Sequence, residues 1–218
     1  MAFRRELADG CAIASTGLEH ADQLERLQEV VFPTLAKEEL FRAEHYAKHL
    51  ELFPDGQYVA LHGDRVVGMT SSVRMDFDFD HPQHSFAEFM QEGWLTSHQP
   101  EGAWLYGADI GVDPEYRGRG LARGLYAARH EAVRRLGLAG QVTVGLMNGY
   151  GPVAGDLTPD EYFGDLVAGR RNDPTVSAQQ KVGFALRCVV KEYVRDPQCG
   201  DCGVLMALPA DQDVPWPV

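Results

Sequence analysis

Nowhere does the chain reach the roughly 18 uninterrupted apolar residues that a membrane-spanning helix requires, so a helical membrane insertion is not expected. Basic residues are also short: 20 Lys and Arg stand against 32 Asp and Glu, a formal net charge of -12. A phosphate backbone would be repelled overall, which argues against a general nucleic-acid binder. Cysteine is sparse, with 4 in the chain, and nothing else points to an oxidising compartment, so reduced thiols are expected. Cys199 and Cys202 form a single C-x-x-C, but the second pair that a four-ligand zinc site needs is missing. His45 and His49 stand one helical turn apart without the glutamate of an H-E-x-x-H motif, and they read as exposed histidines on a helix. No metal is therefore expected. The start, Met1 to Ser15, places Arg4, Arg5, Glu6 and Asp9 among few apolar residues, unlike an export signal, and a cytoplasmic location follows as the expectation.

What is present is an ordinary globular composition: 218 residues with 44% hydrophobic and 24% charged side chains. That length suits one domain over 1–218, with a core of about 10–208, an insertion of about 149–171 and a frayed tail at 209–218. Charge is unevenly spread. Residues 1–100 hold 8 basic and 17 acidic side chains, whereas Arg117, Arg119, Arg123, Arg129, Arg134 and Arg135 face a single nearby acid, Glu131. A basic segment within an acidic chain is a candidate seat for a small polyanion.

Periodicity supplies the element order. Cys11 to Ala14 reads as a strand, and Thr16 with Glu19 forms a T-x-x-E capping box for a helix that ends before Pro33. Ala36, Leu40, Ala43, Ala47 and Leu50 repeat at helical spacing, closed by Pro54. A hairpin follows, Gln57–Leu61 and Arg65–Val73, turning at Gly63-Asp64. A long connection with one helical turn then leads to a strand at Trp104–Val112, a helix at Gly120–Leu136 and a strand at Gln141–Met147, a beta-alpha-beta unit with a parallel crossover. Thr158 and Glu161 cap a short inserted helix to Ala168, residues 174–182 add another, and Phe184–Tyr193 with Gly203–Leu208 close as an antiparallel pair.

Chemistry concentrates in Ile110-Gly111-Val112-Asp113-Pro114-Glu115-Tyr116-Arg117-Gly118-Arg119-Gly120-Leu121-Ala122, where a strand ends, a glycine-rich loop turns and a helix begins. Glycines let backbone amides approach an anion, and the helix N-terminus adds unpaired N–H groups and partial positive charge. The run lacks the Lys-Ser/Thr ending of a P-loop and the three-glycine spacing of a dinucleotide fingerprint.

Its V-x-P-x-x-R-G-x-G-x-A pattern resembles the acyl-CoA-binding motif of the GNAT superfamily of N-acetyltransferases, and the element order is similar from about residue 10 to 208. The wording D-P-T-V-S and W-L-Y-G-x-D further resembles a GNAT subgroup of unassigned substrate. The resemblance implies an α/β fold: a mixed, mostly antiparallel sheet of about seven strands flanked by helices, with an inserted helix after the fifth strand. It also implies acetyl-CoA as co-substrate, without a metal. The strand backbone at Ile110 and Val112 would hold the pantetheine arm. Amides of Arg117, Gly118, Arg119, Gly120, Leu121 and Ala122 would hold the pyrophosphate, Asn172 would steady the cofactor arm or cap the next helix, and Arg123 would reach the 3'-phosphate. The family's usual Tyr, which protonates the departing thiolate, is replaced here by Gln179, an amide with no proton to give at neutral pH. Tyr126, Tyr150 and Tyr193 are the alternative acids.

Amine acetylation also needs a base. Asp109 and Tyr106 are the polar side chains of the preceding strand and the catalytic candidates. Lying three apart, they fall on opposite faces unless a bulge intervenes. Asp109 reads equally as a base or as a hydrogen-bonded core carboxylate, and Tyr106 as a base or a core aromatic. The activity implied is direct acetyl transfer to the amine of a small acceptor, a cationic one if Asp76, Asp78 and Asp80 draw it. The alternative is a non-catalytic acyl-CoA-binding module, which Gln179 favours. The expected partner is a small-molecule amine, with no nucleic acid and no membrane; a homodimer is left open.

Overall fold

The computed structural model describes residues 3–217. One sheet of eight strands organises the chain, in the order β1-β2-β3-β4-β5-β6-β8-β7. These are β1 (Arg4–Glu6), β2 (Cys11–Ser15), β3 (Tyr58–His62), β4 (Arg65–Met75), β5 (Trp104–Val112), β6 (Gly140–Leu146), β7 (Ala185–Val190) and β8 (Gly203–Pro209). Every pairing is antiparallel except β5 with β6, joined by a helical crossover as the spacing predicts. β1 is the additional strand. Its three residues are charged and exposed at the sheet edge, so hydrophobic patterning carries no trace of it.

Helices cover both faces. On one lie α1 (Ala21–Val31), α2 (Ala43–Leu52) and the short α3 (Phe86–Phe89), which bury Leu24, Leu27, Tyr46 and Phe86 against Met69, Tyr106 and Val142. On the other lie α4 (Leu121–Arg135), α5 (Pro159–Val167) and α6 (Val176–Val182), packed through Leu121, Leu125, Tyr126, Tyr162 and Val176. α4 buries the predicted stripe of Leu121, Leu125, Ala128 and Ala132 and, beyond it, most of its length, the run from Gly124 to His130 included, with Arg129 wholly enclosed.

Three local expectations are corrected. Thr16 does not cap α1: a single 3₁₀ turn at Leu18–His20 intervenes, and the His20 Nδ1 accepts the Gly17 N–H at 2.9 Å. α2 begins at Ala43, because Leu40 is extended and His45 Nδ1 accepts the Arg42 N–H at 3.1 Å to start the helix there. His45 and His49 are buried among Phe41, Tyr46 and Trp94, and burial pushes the His49 imidazole down to about 4.

The tail is also held rather than frayed. Arg134 Nε donates to Ala210 O at 2.9 Å, and His130 Nε2 lies 2.7 Å from Gln212 O. Trp216 stacks on Phe3 and donates to Glu131 at 2.6 Å. The tail runs back along α4, with Pro217 beside Gly120.

Candidate active site

β5 and β6 pair only from Trp104 and Gly140 to Gly107 and Thr143; beyond that β5 continues against β4 and β6 against β8. The two strands part, and their facing edges are left without ladder partners. A β-bulge coincides with the parting: Ser71 pairs with Asp109 and Ser72 with Gly107, so Ala108 is the extra residue. The inserted residue restores Tyr106 and Asp109 to one face of the sheet, the one covered by α1, α2 and α3, where Asp109 meets Gln28 of α1 and Tyr106 meets Phe89 of α3. The unbroken alternation expected from their spacing does not hold here.

Two spaces meet in the gap. A cleft of about 570 Å3 is lined by Ile110, Val112, Arg117, Ala122, Tyr126 and Asn148, and a smaller cavity of about 100 Å3 by Gln28, Phe41, Asp109, Thr143 and Tyr193. Gln179, Asn148 and Thr175 wall both, with Asn148 Nδ2 donating to Thr175 Oγ1 at 2.8 Å. The junction therefore lies at α6 and the end of β6.

The glycine-rich loop closes one end of the cleft. Asp113 fixes its entry, accepting from Glu115 N at 3.0 Å and from Arg65 Nη2 at 2.8 Å. Gly118 and Gly120 both have φ of 78°, the left-handed region that a side chain disfavours. α4 starts at Leu121, so the amides of Leu121 and Ala122 have no intrahelical acceptor and face outward with the positive end of the helix dipole. Arg117 Nε reaches back to Val112 O at 3.3 Å, and the Arg119 guanidinium lies 4.9 Å over the Tyr116 ring. Exposed amides, left-handed glycines and a cleft continuing along the free edge of Ile110 and Val112 fit a diphosphate carrying an extended arm.

Asp109 is the buried carboxylate on the cavity floor. Oδ1 accepts from Ser71 N at 2.5 Å and Oδ2 from Gln28 Nε2 at 2.8 Å, while Gln28 also donates to Tyr46 Oη at 2.6 Å. Burial pushes the carboxyl up to about 6, against the opposing pull of Ser71, Gln28 and Arg129. Arg129, fully buried on the far side, donates to Thr70 Oγ1 at 3.3 Å, and that hydroxyl donates to Asp109 O at 2.7 Å. Tyr106 has a different position. It is stacked among Phe77, Phe89 and His84, with its hydroxyl 2.9 Å from His84 Nε2 and 3.1 Å from Tyr193 Oη. Only its partner Tyr193 reaches the cavity wall.

Other expected site residues lie elsewhere. Asn172 is exposed and lines neither space; the neighbouring Asp173 caps α6, accepting from Thr175 N at 2.8 Å and Val176 N at 2.9 Å. Arg123 is exposed and lines neither space. Asp76 and Asp78 hold their own loop, the first through Ala103 N at 3.0 Å and the second through His81 at 2.8 Å, and Asp80 faces away from both spaces. The insertion packs on β7 rather than over the gap, with Tyr162 Oη donating to Asp173 at 2.9 Å.

The residues not anticipated are Gln28, Asn148 and Thr175. Gln28 had a signal: it falls four residues after Leu24, on the apolar stripe of α1, where a buried amide demands a partner. Asn148 and Thr175 had none, since only the parting of the strands makes them neighbours.

A family model described as "Acetyltransferase (GNAT) family" matches residues 21–148. The uncharacterized N-acetyltransferase YkwB of Bacillus subtilis (strain 168) is 32% identical over 186 residues, 85% of this chain and 82% of that protein. The probable hydrolase YhcX of the same organism is 32% identical over 175 residues, 80% of this chain but 34% of that protein, so the chain spans about a third of it. Among solved structures, the GNAT-like decarboxylase GphF in complex with isobutyryl-CoA shares the fold, with a TM-score of 0.75 and 22% identity over 91% of this chain and 98% of that one.

Proposed function

The chain belongs to the GNAT acetyltransferase family, and from that premise we propose that it is an acetyl-CoA-dependent N-acetyltransferase in which Asp109 serves as base for the amine of a small acceptor. The observation that carries this reading is Asp109 itself, a carboxylate on the cavity floor beside the parted strands, with a pKa of about 6. A base poised near neutrality can accept a proton from an attacking amine without first being quenched by one.

Acetyl-CoA, when bound, supplies the activated thioester. The amides from Arg117 to Ala122 would hold its diphosphate, and the free edge at Ile110 and Val112 its pantetheine arm. Unpaired N–H groups of that edge stabilise negative charge on a carbonyl oxygen as the amine adds. Asp109 takes the amine proton as the N–C bond forms and the C–S bond breaks. Transfer is direct, within one ternary complex.

The acceptor suited to the cavity is a primary amine on a small apolar body. Phe32, Leu35, Phe41 and Phe86 line it, and Asp109 and Glu39 are its carboxylates. Glu39 is engaged by Arg195 through its backbone N–H at 3.1 Å and Nε at 3.3 Å, whereas Asp109 has no salt bridge among the described residues and is held by hydrogen bonds from Ser71 and Gln28. Attraction of a cationic acceptor by Asp76, Asp78 and Asp80 has no support, since these groups face away.

Release of free thiol from acetyl-CoA, measured against a panel of amines, tests the reading. Turnover is expected only when an amine is present, with small alkyl or aryl-alkyl amines ahead of polyamines. Saturable binding of acetyl-CoA with no turnover on any amine would instead support the binding module that Gln179 favours.

A further inference from the structure

A thiolate leaving into a closed cleft is poorly solvated, so the sulfur needs a proton donor close by. Gln179 stands where cleft and cavity meet and offers no acidic proton. Its Nε2 donates to the Tyr126 hydroxyl at 2.8 Å. That bond occupies an oxygen lone pair and leaves the phenol hydrogen free. Tyr126 lines the cofactor cleft one helical turn beyond Ala122, so it faces the path that leads from the glycine loop to the cavity.

The surroundings of the ring are unusual. Phe184 packs edge-on at 5.3 Å, and the Arg129 guanidinium sits 5.4 Å from the ring centre. Arg129 is completely buried, and among the described residues its Nε and Nη2 have no hydrogen-bond partner. A buried cation with two unsatisfied donors is costly, and a neighbouring phenol that gains negative charge during turnover would compensate it alongside the more remote Asp109 carboxylate. Burial pushes the Tyr126 phenol up while Arg129 pulls it back. The other tyrosines are committed: Tyr150 donates to Leu157 O at 3.0 Å, and Tyr193 pairs with Tyr106 on the acceptor side.

We infer that Tyr126 delivers the proton to the sulfur of coenzyme A as the thioester breaks, with Gln179 clamping its hydroxyl and Arg129 stabilising the charge it acquires. The assignment rests on the acetyltransfer reading. The C–S electron pair goes to sulfur and the Tyr126 O–H proton follows it, giving the free thiol. The proton that Asp109 took from the amine returns to the phenolate through water, and the enzyme ends each turnover unchanged. Gln179 thus takes the family tyrosine's place without its chemistry, and the acid moves one helix away.

Tyr126→Phe removes only the hydroxyl and keeps the packing on Phe184. Calorimetry is expected to show CoA binding within about threefold of wild type, while kcat for acetyl transfer falls about 100-fold with little change in KM. The deciding measurement needs no acceptor: ultraviolet titration of the thiol of bound CoA. Loss of the donor is expected to raise the midpoint by about one pH unit, because the thiolate loses a hydrogen bond. Gln179→Met, which frees the hydroxyl from its clamp, is expected to shift it in the same direction by less. Equal midpoints in wild type and both variants would overturn the assignment. A wild type that binds CoA but acetylates no amine would overturn the acetyltransfer reading instead, and the thiol titration would still judge Tyr126.

Discussion

Gln28 on α1 and Asp109 on β5, 81 positions apart, meet in a 2.8 Å hydrogen bond on the floor of the cavity. The same amide nitrogen reaches the buried Tyr46 hydroxyl at 2.6 Å, so helix, strand and second helix are tied at one point. A carboxylate set on a bulge is thereby aimed and partly stabilised in its charged form, against the burial that favours its neutral one.

Asp109→Asn is expected to lower kcat/KM by about 100- to 10,000-fold and to remove the acid limb of its pH profile. In wild type that limb should rise with a midpoint near the carboxyl's value of about 6. Folding carries the opposite sign. The folded chain holds this proton more tightly than the ordinary 3.8, so its contribution to stability is complete below that value and lost as pH rises through about 6. Denaturant melts of the two proteins should therefore show the Asn variant gaining on wild type between about pH 4 and pH 7.

Gln28→Leu removes a donor to the carboxylate and leaves the charged form less favoured. The acid limb should move upward by about half to one pH unit, with the plateau rate much less affected. A profile that falls uniformly at every pH, with an unmoved midpoint, would show that Gln28 shapes the cavity rather than the base.

The glycine loop and the order of most elements were legible because each rests on local rules: Gly118 and Gly120 require left-handed backbone, Thr158 and Glu161 form the capping box of α5, and α4 carries a clear apolar stripe. The floor of the site was not. Spacing alone sends Tyr106 and Asp109 to opposite faces, and only the extra residue Ala108, a feature of strand pairing, reunites them. The tail read as frayed from its prolines, yet Trp216 finds Phe3, Arg5 and Glu131 from the far end of the chain. In each case a long-range partner overrode a local signal.

Gly107→Ala is expected to destabilise the fold by about 1 to 3 kcal/mol, the usual range for overpacking a tight core. An added methyl would run into the Arg129 guanidinium, which has nowhere to retreat because it is enclosed between β5, Thr70 and Tyr126. Arg129 supports both the bulge, through Thr70 and the Asp109 carbonyl, and the Tyr126 ring. Chemical denaturation should register the loss, and a variant as stable as wild type would mean that the guanidinium can move.

Gly118→Ala separates the loop's backbone geometry from crowding. No atom lies within 4 Å of the methyl it would add, so the substitution acts through φ of 78° alone. A left-handed alanine costs about 1 to 2 kcal/mol, and the loop can avoid that cost by relaxing, which swings its amides away from the diphosphate. CoA affinity measured by calorimetry should then fall about 10-fold, a change of about 1.4 kcal/mol. Pantetheine lacks the diphosphate and on the proposed binding mode would touch only the strand edge at Ile110 and Val112, so its weaker binding should be unchanged. Equal losses for the two ligands would show that the loop shapes the whole cleft, whereas a loss confined to CoA assigns the amides of residues 117–122 to the diphosphate.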